Sequence, residues 1–193
     1  FRAATPFVDA PADVELNIGV ALPNTSVNDT LKNFTVTLDD GETYVAIANG
    51  VTAPGSYAAN PDGRSTDFTL FIKPMAREIA ENSASVEFFA VHGATDAPTV
   101  DIIARDVATL VDDAAYGDIT DYIAVPPASY VLDVTPDSDN NTVVASFDAD
   151  LSGLGGGSAV VLASGFLDGV QNQDGNPFTL IVVLASGDVL DLG

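Results

Sequence analysis

From Val14 to Val20 apolar and polar residues alternate, with Val14, Leu16, Ile18 and Val20 on one side and Glu15 and Asn17 on the other. That two-residue period is the mark of a strand with one buried face. Phe34–Leu38 alternates in the same way, and Asp39-Asp40-Gly41 supplies a turn before Thr43–Ala48. Further β-branched and aromatic runs follow at Phe68–Ile72, Val86–Val91, Thr99–Ala104, Tyr130–Val134, Thr142–Phe147, Ala159–Ala163, Phe178–Leu184 and Val189–Leu192. Gly, Pro, Asn and Asp separate them, as turn residues separate strands. Only Met75–Glu81 and Asp106–Ala115 suggest helix, and Pro74 and a shortage of strong helix formers keep both short. Many short strands with turns between them predict a sandwich or barrel.

The pattern occurs twice. Phe7-Val8-Asp9-Ala10-Pro11-Ala12 before the first strand parallels Tyr122-Ile123-Ala124-Val125-Pro126-Pro127-Ala128 before Tyr130–Val134. Tyr44-Val45-Ala46-Ile47-Ala48-Asn49-Gly50 parallels Ala159-Val160-Val161-Leu162-Ala163-Ser164-Gly165. Asn60-Pro61-Asp62-Gly63 and Phe68-Thr69-Leu70 then parallel Asn172-Gln173-Asp174-Gly175 and Phe178-Thr179-Leu180. Repetition in constant order is the signature of duplicated units. The copies are unequal, because the strands Val86–Val91 and Thr99–Ala104 have no counterpart before Phe1. The chain therefore reads as all-β, with two tandem immunoglobulin-like β-sandwich domains at 1–82 and 83–193, the first lacking its leading strands. A sandwich without those strands exposes an apolar groove and free strand edges.

Charge narrows the partners. The 193 residues carry 28 acidic and six basic side chains, a net charge of −22. Phosphate binding needs clustered Lys and Arg, so nucleic acid is excluded as a partner. No run approaches the roughly 18 apolar residues of a membrane helix, so no membrane insertion is expected. Cysteine is absent, which leaves core packing or contacts with neighbours to hold the fold. Few Lys, Arg and Glu beside much Thr, Val, Asn, Asp and Gly point to an extracellular or cell-surface protein.

Val91-His92-Gly93-Ala94-Thr95-Asp96-Ala97-Pro98-Thr99-Val100-Asp101-Ile102 resembles the hallmark of domain of unknown function 4397, which reads Val-His-Ala-Ser-Pro-Asp-Ala-Pro-x-Val-Asp-Val. The chain departs from it at Gly93, Ala94 and Thr95. Val125-Pro126-Pro127-Ala128-Ser129-Tyr130 resembles the family's Leu-Pro-Ala-Gly-x-Tyr segment. The resemblance covers 83–193, with 1–80 as a second copy without the hallmark. It implies a β-sandwich, usually in tandem, in secreted or surface proteins of bacteria and archaea. It brings no established activity and no catalytic residues.

Candidate chemistry is sparse. His92 is the only histidine, and a metal site or a catalytic triad needs several convergent groups. Ser158 follows three glycines but lies outside a Gly-x-Ser-x-Gly elbow. Asp137-Ser138-Asp139-Asn140-Asn141 reads as a polar turn, and no calcium-loop spacing is present. No enzyme activity, cofactor or metal is expected. Four sequons, at Asn24, Asn28, Asn33 and Asn140, mark sites for covalent glycans. The expected function is a structural subunit of an extracellular filament or pilus-like fibre, with copies of itself as partners, joined head to tail by β-strand complementation. The alternatives are a segment of a longer surface stalk or adhesin, and a carbohydrate- or ion-binding module.

Overall fold

A computed structural model describes residues 1–22, 25, 26 and 28–193. The alternating runs become strands β1 (Glu15–Ala21), β2 (Thr30–Thr37), β3 (Val45–Asn49), β4 (Thr69–Lys73), β5 (Val86–His92) and β6 (Val100–Ala104). They continue with β7 (Ala108–Ala114), β8 (Ile123–Val125), β9 (Ser129–Pro136), β10 (Ala145–Asp150), β11 (Ser158–Ser164), β12 (Thr179–Leu184) and β13 (Val189–Asp191). Two single 3₁₀ turns, Pro54–Ser56 and Val170–Asn172, are the only helical pieces among the described residues. No described helix is long and apolar enough to cross a membrane.

The second half is a two-layer sandwich. A four-stranded sheet in the order β10-β9-β6-β7 faces a five-stranded sheet in the order β13-β12-β11-β5-β8. Between them lies a core that includes Phe88, Ile102, Val134, Phe147, Val161 and Leu180. Strand β5 is buried along its whole length, because both of its faces are covered. Its Val86, Phe88 and Ala90 point into the core, while Phe89 and Val91 point the other way into a second cluster. A strand covered on both sides reads as a near-continuous apolar run, which Val-Glu-Phe-Phe-Ala-Val is apart from Glu87, whose carboxylate pairs with Arg77.

The first half holds two separate hairpins, β1-β2 and β3-β4. The β3-β4 hairpin lays Val45, Ile47 and Phe71 on the outer face of the five-stranded sheet, against Phe89, Val91 and Val160. Its register matches that of β11-β12. Ala46 lies opposite Ile72 and Ala48 opposite Leu70, as Val161 lies opposite Val182 and Ala163 opposite Leu180. The β1-β2 hairpin likewise matches β9-β10, with Leu16 opposite Val36 and Ile18 opposite Phe34, against Leu132 opposite Phe147 and Val134 opposite Ala145. The turns after β3 and β11 also coincide. Gly50 has φ +90° and Gly165 φ +91°, a region that favours glycine. Val51 then donates to Thr66 as Phe166 donates to Asn176, both at 2.9 Å.

Neither expected helix forms. Met75–Glu81 is irregular, and Asp106–Ala115 becomes β7 on the edge of β6. The turn before β7 is made by Asp106 at φ +59°. The register slips between Val100 and Ile103, and a bulge of this kind inserts a residue and breaks the two-residue period. Val111 and Ala114 therefore fall three apart on the covered side, which imitates helical spacing.

Candidate functional site

The hallmark segment is the loop from β5 to β6, and both halves of the chain hold it. Asp96 accepts hydrogen bonds from the amides of Leu167 (3.0 Å) and Asp168 (2.9 Å) and from Nδ2 of Asn172 (2.9 Å). From the first half, Asn60 Nδ2 donates to the carbonyls of Thr95 (3.0 Å) and Ala97 (3.1 Å). Asp62 accepts from the amide of Thr99 at 2.7 Å, and Asn49 Nδ2 donates to the Gly93 carbonyl at 3.1 Å. A Cβ at Gly93 would come within 2.6 Å of that amide nitrogen, so this close approach needs glycine. Asn60 and Asn172 are both buried and sit at matching places in the repeated Asn-x-Asp-Gly segment.

His92 is buried, and its Nε2 donates to the Pro98 carbonyl at 3.0 Å. Burial lowers its basicity more than the nearby carbonyls and carboxylates raise it, so the ring is neutral at pH 7. Its Nδ1 has no hydrogen-bond partner among the described residues. The ring meets Tyr116 edge-on at 6.3 Å. The Tyr116 hydroxyl, donating to Asn49 Oδ1 at 2.9 Å, is pushed up to about 12 by burial. These contacts pack the loop and bring no nucleophile to the imidazole. Asp96 and Pro98, by contrast, lock the loop that His92 opens.

One constellation was invisible in the sequence. The carboxylates of Asp101, Asp112 and Asp113 lie within 4.8 Å of one another, brought together by the bulged β6-β7 pairing. Asp101 is almost fully buried and accepts from the Asp113 amide at 2.7 Å. Repulsion from Asp112, aided by burial and by Asp101 and Asp137, holds the Asp113 carboxyl above the usual range. The Asp137–Asn141 segment, read as a turn, is one: Asp139 accepts from Asn141 and from the following Thr142.

Of the sequons, Asn28, Asn33 and Asn140 are exposed, and Asn24 lies outside the described residues. Asn33 sits on β2, where its Nδ2 donates to Thr30 Oγ1 at 3.2 Å. Asn140 stands on the turn between β9 and β10.

The largest contrast between the halves is exposure. Among the described residues no side chain of β1, β2, β3 or β4 is buried. Leu180 and Val182 are 0% and 1% exposed. Leu70 and Ile72, their register counterparts, are half-buried, and Ala46 and Ala48 are exposed. Strand β11 has β5 beside it and β9 has β6 beside it, whereas among the described residues β3 and β1 have no strand on the corresponding edges.

Residues 86–179 match the family described as Domain of unknown function (DUF4397). The chain thus carries that domain from β5 to the start of β12, across the hallmark loop and most of the closed sandwich. No curated protein and no solved structure matches the chain.

Proposed function

We propose, from a chain that carries a DUF4397 domain, that it is a structural subunit of an extracellular filament whose incomplete first half is completed by strands from a neighbouring chain. One observation carries the reading. The β1-β2 and β3-β4 hairpins share the registers of β9-β10 and β11-β12, yet among the described residues they lack neighbours equivalent to β6 and β5. The two halves are then tandem copies of one sandwich, the first of them open. Burying a Val, Leu, Ile or Phe side chain contributes about 1.5–3 kcal/mol. Leaving Leu16, Ile18, Leu70 and Ile72 without a covering sheet forgoes much of a small domain's stability.

A strand added to a free edge supplies both the backbone ladder and the missing core face. A strand pair carried by one subunit and accepted by the groove of the next makes a head-to-tail contact that does not close on itself. Such contacts generate filaments. The exposed sequons at Asn28, Asn33 and Asn140 and a composition rich in Thr, Asn and Asp and poor in Lys, Arg and Glu support an extracellular setting with covalent glycans.

Negative-stain microscopy of native material tests this. Fibres with a regular subunit repeat, lost in an Ile72→Asp variant, are the expected result; uniform single particles would overturn it. The stalk reading keeps one observation of its own. Strands β5 and β6 are locked in their own core, so a copy cannot release them without opening its own sandwich. Particles of fixed length that bear a longer polypeptide would favour the stalk.

A further inference from the structure

We infer that the open groove takes a strand–turn–strand segment built like β5-β6, with an aspartate in its turn. The inference rests on the reading that the first half is a copy of the second, and it names the partner of that groove. In the closed sandwich β5 runs parallel to β11, with Phe88 beside Ala159, Ala90 beside Val161 and His92 beside Ala163. Strand β6 runs antiparallel to β9, with Ile102 beside Val134 and Ala104 beside Leu132. Carried through the matched registers, the incoming first strand lies parallel to β3, its inward side chains beside Tyr44, Ala46 and Ala48. The second lies antiparallel to β1, beside Ile18 and Leu16. Its inward positions are apolar on alternate residues because they must cover Leu70 and Ile72 from one side and Leu16 and Ile18 from the other.

The turn of the guest is specified too. In the second half the chain leaves Gly165, and the amides of Leu167 and Asp168 close on the carboxylate of Asp96. In the first half the chain leaves Gly50 with the same φ and the same following hydrogen bond, so the amides of Thr52 and Ala53 take the equivalent places. Thr52 and Ala53 are exposed, and their amides have no acceptor among the described residues. Successive free amides at a turn form a concavity that suits a carboxylate. A donor strand without an acidic turn would leave them unused, and this separates the inferred partner from a generic edge strand. The chain's own β5-β6 pair is committed to its own core, so the donor is a further pair of this type, distinct from residues 86–104.

The probe is a synthetic peptide with the sequence of residues 84–105, titrated into the intact chain and followed by amide hydrogen exchange. Binding should be one to one and should slow exchange along β1 and β3 while leaving β11 unchanged. Replacing the peptide's aspartate, the counterpart of Asp96, by alanine should weaken binding about tenfold or more, as loss of charge-assisted hydrogen bonds does. Ile72→Asp in the chain should abolish binding, with unchanged β11 protection showing that the sandwich persists. If the peptide aggregates, the same segment fused ahead of Phe1 through a Gly-Ser linker gives the same exchange readout. Absence of protection in either format, or protection at the edges of β8 or β13 instead, overturns the inference. Native fibres that lose their assembly in Ile72→Asp while the peptide fails to bind would keep strand complementation and discard this partner. Peptide binding by material that forms only single particles would keep the partner and discard the filament.

Discussion

Phe89→Ala probes whether the two halves fold as one unit. Phe89 is 1% exposed and lies on the face of the five-stranded sheet that receives Val45, Ile47 and Phe71. It meets Tyr122 edge-on at 5.5 Å, and Lys73 Nζ stands 5.8 Å from its ring centre. Truncating a buried Phe costs about 3–5 kcal/mol through lost transfer energy and the cavity left behind. Edge-to-face pairing adds about 0.5–1.5 kcal/mol. The loss has a ceiling, because a hairpin that has let go has nothing further to lose. The expected cost is therefore about 3 kcal/mol in urea unfolding followed by far-UV circular dichroism. Hydrogen exchange should show the β3 and β4 amides opening well before those of β11 in the variant, and together with them in the parent chain. Phe88→Ala, on the opposite face of β5, should cost about as much while sparing the difference between β3 and β11. A cost below about 1 kcal/mol for Phe89→Ala, or β3 amides that open independently of β11 in the parent chain, would refute the docking of the hairpin.

Raising NaCl from about 10 mM to 1 M should raise Tm, because screening relieves the self-repulsion of a net charge of −22 more than it weakens the partly buried ion pairs; a falling Tm would contradict this. Asp113→Asn should raise Tm at neutral pH. The Asp113 carboxyl is held high chiefly by Asp112, so its ionised form penalises the fold, and in a thermal melt series the gain should vanish below the ordinary aspartate value. Arg105→Gln should do the opposite. Arg105, with Ser146, holds the Asp133 carboxyl low, so that stability is present above the ordinary aspartate value and is lost as the pH falls through the depressed one; melts of variant and parent should converge in acid. Intact-mass measurement on native material should exceed the 19.8 kDa polypeptide, with the excess removed by Asn→Gln changes at Asn24, Asn28, Asn33 and Asn140; a bare mass would end the glycan proposal.

The all-β class was legible because alternation marks strands wherever the ladder is regular. It failed at β7, where the bulge beside Ile102 brings Val111 and Ala114 onto one side, and at β8, whose three residues are too few to show a period. The closed sandwich was readable because β5, β9, β11 and β12 carry apolar inward residues at every second place. The docking of β3-β4 was not. Its two faces are both apolar, Val45, Ile47 and Phe71 on one and Ala46, Leu70 and Ile72 on the other, and alternation cannot rank two apolar faces. Asp101 stands apart from Asp112 and Asp113 in the sequence and meets them only through the β6-β7 pairing. The paired Asn60 and Asn172 were visible as a repeat, and only the fold gives them the hallmark loop to hold.

Placement of the few cations follows from the charge surplus. Two acidic halves repel, so bringing them into contact requires positive charge at the contact itself, where the distance is shortest and water is scarcest. Four of the six basic residues bridge the halves. Arg64 pairs with Asp118 at 2.7 Å, Lys73 donates to the Thr120 carbonyl at 3.1 Å, and Arg2 donates to the Pro177 carbonyl at 2.6 Å. Arg77 pairs with the buried Glu87 at 2.6 Å and lies over the Tyr122 ring. Burial works to raise the Glu87 carboxyl, and the amides of Glu81 and Asn82 together with Arg77 outweigh it, leaving it below the usual range. The exposed pairs contribute little on their own. Arg77 differs, because removing it strands a buried carboxylate. The junction therefore combines an apolar patch, which draws the halves together whatever their charge, with cations set where repulsion would otherwise be greatest. Beside the open groove, Lys32 lies over the Phe34 ring on the same face of β2. Lys32, the basic residue on β1-β2, is engaged with the Phe68 carbonyl at 2.6 Å, so a strand entering there is selected by apolar pattern and by the free amides of Thr52 and Ala53 rather than by charge along its length.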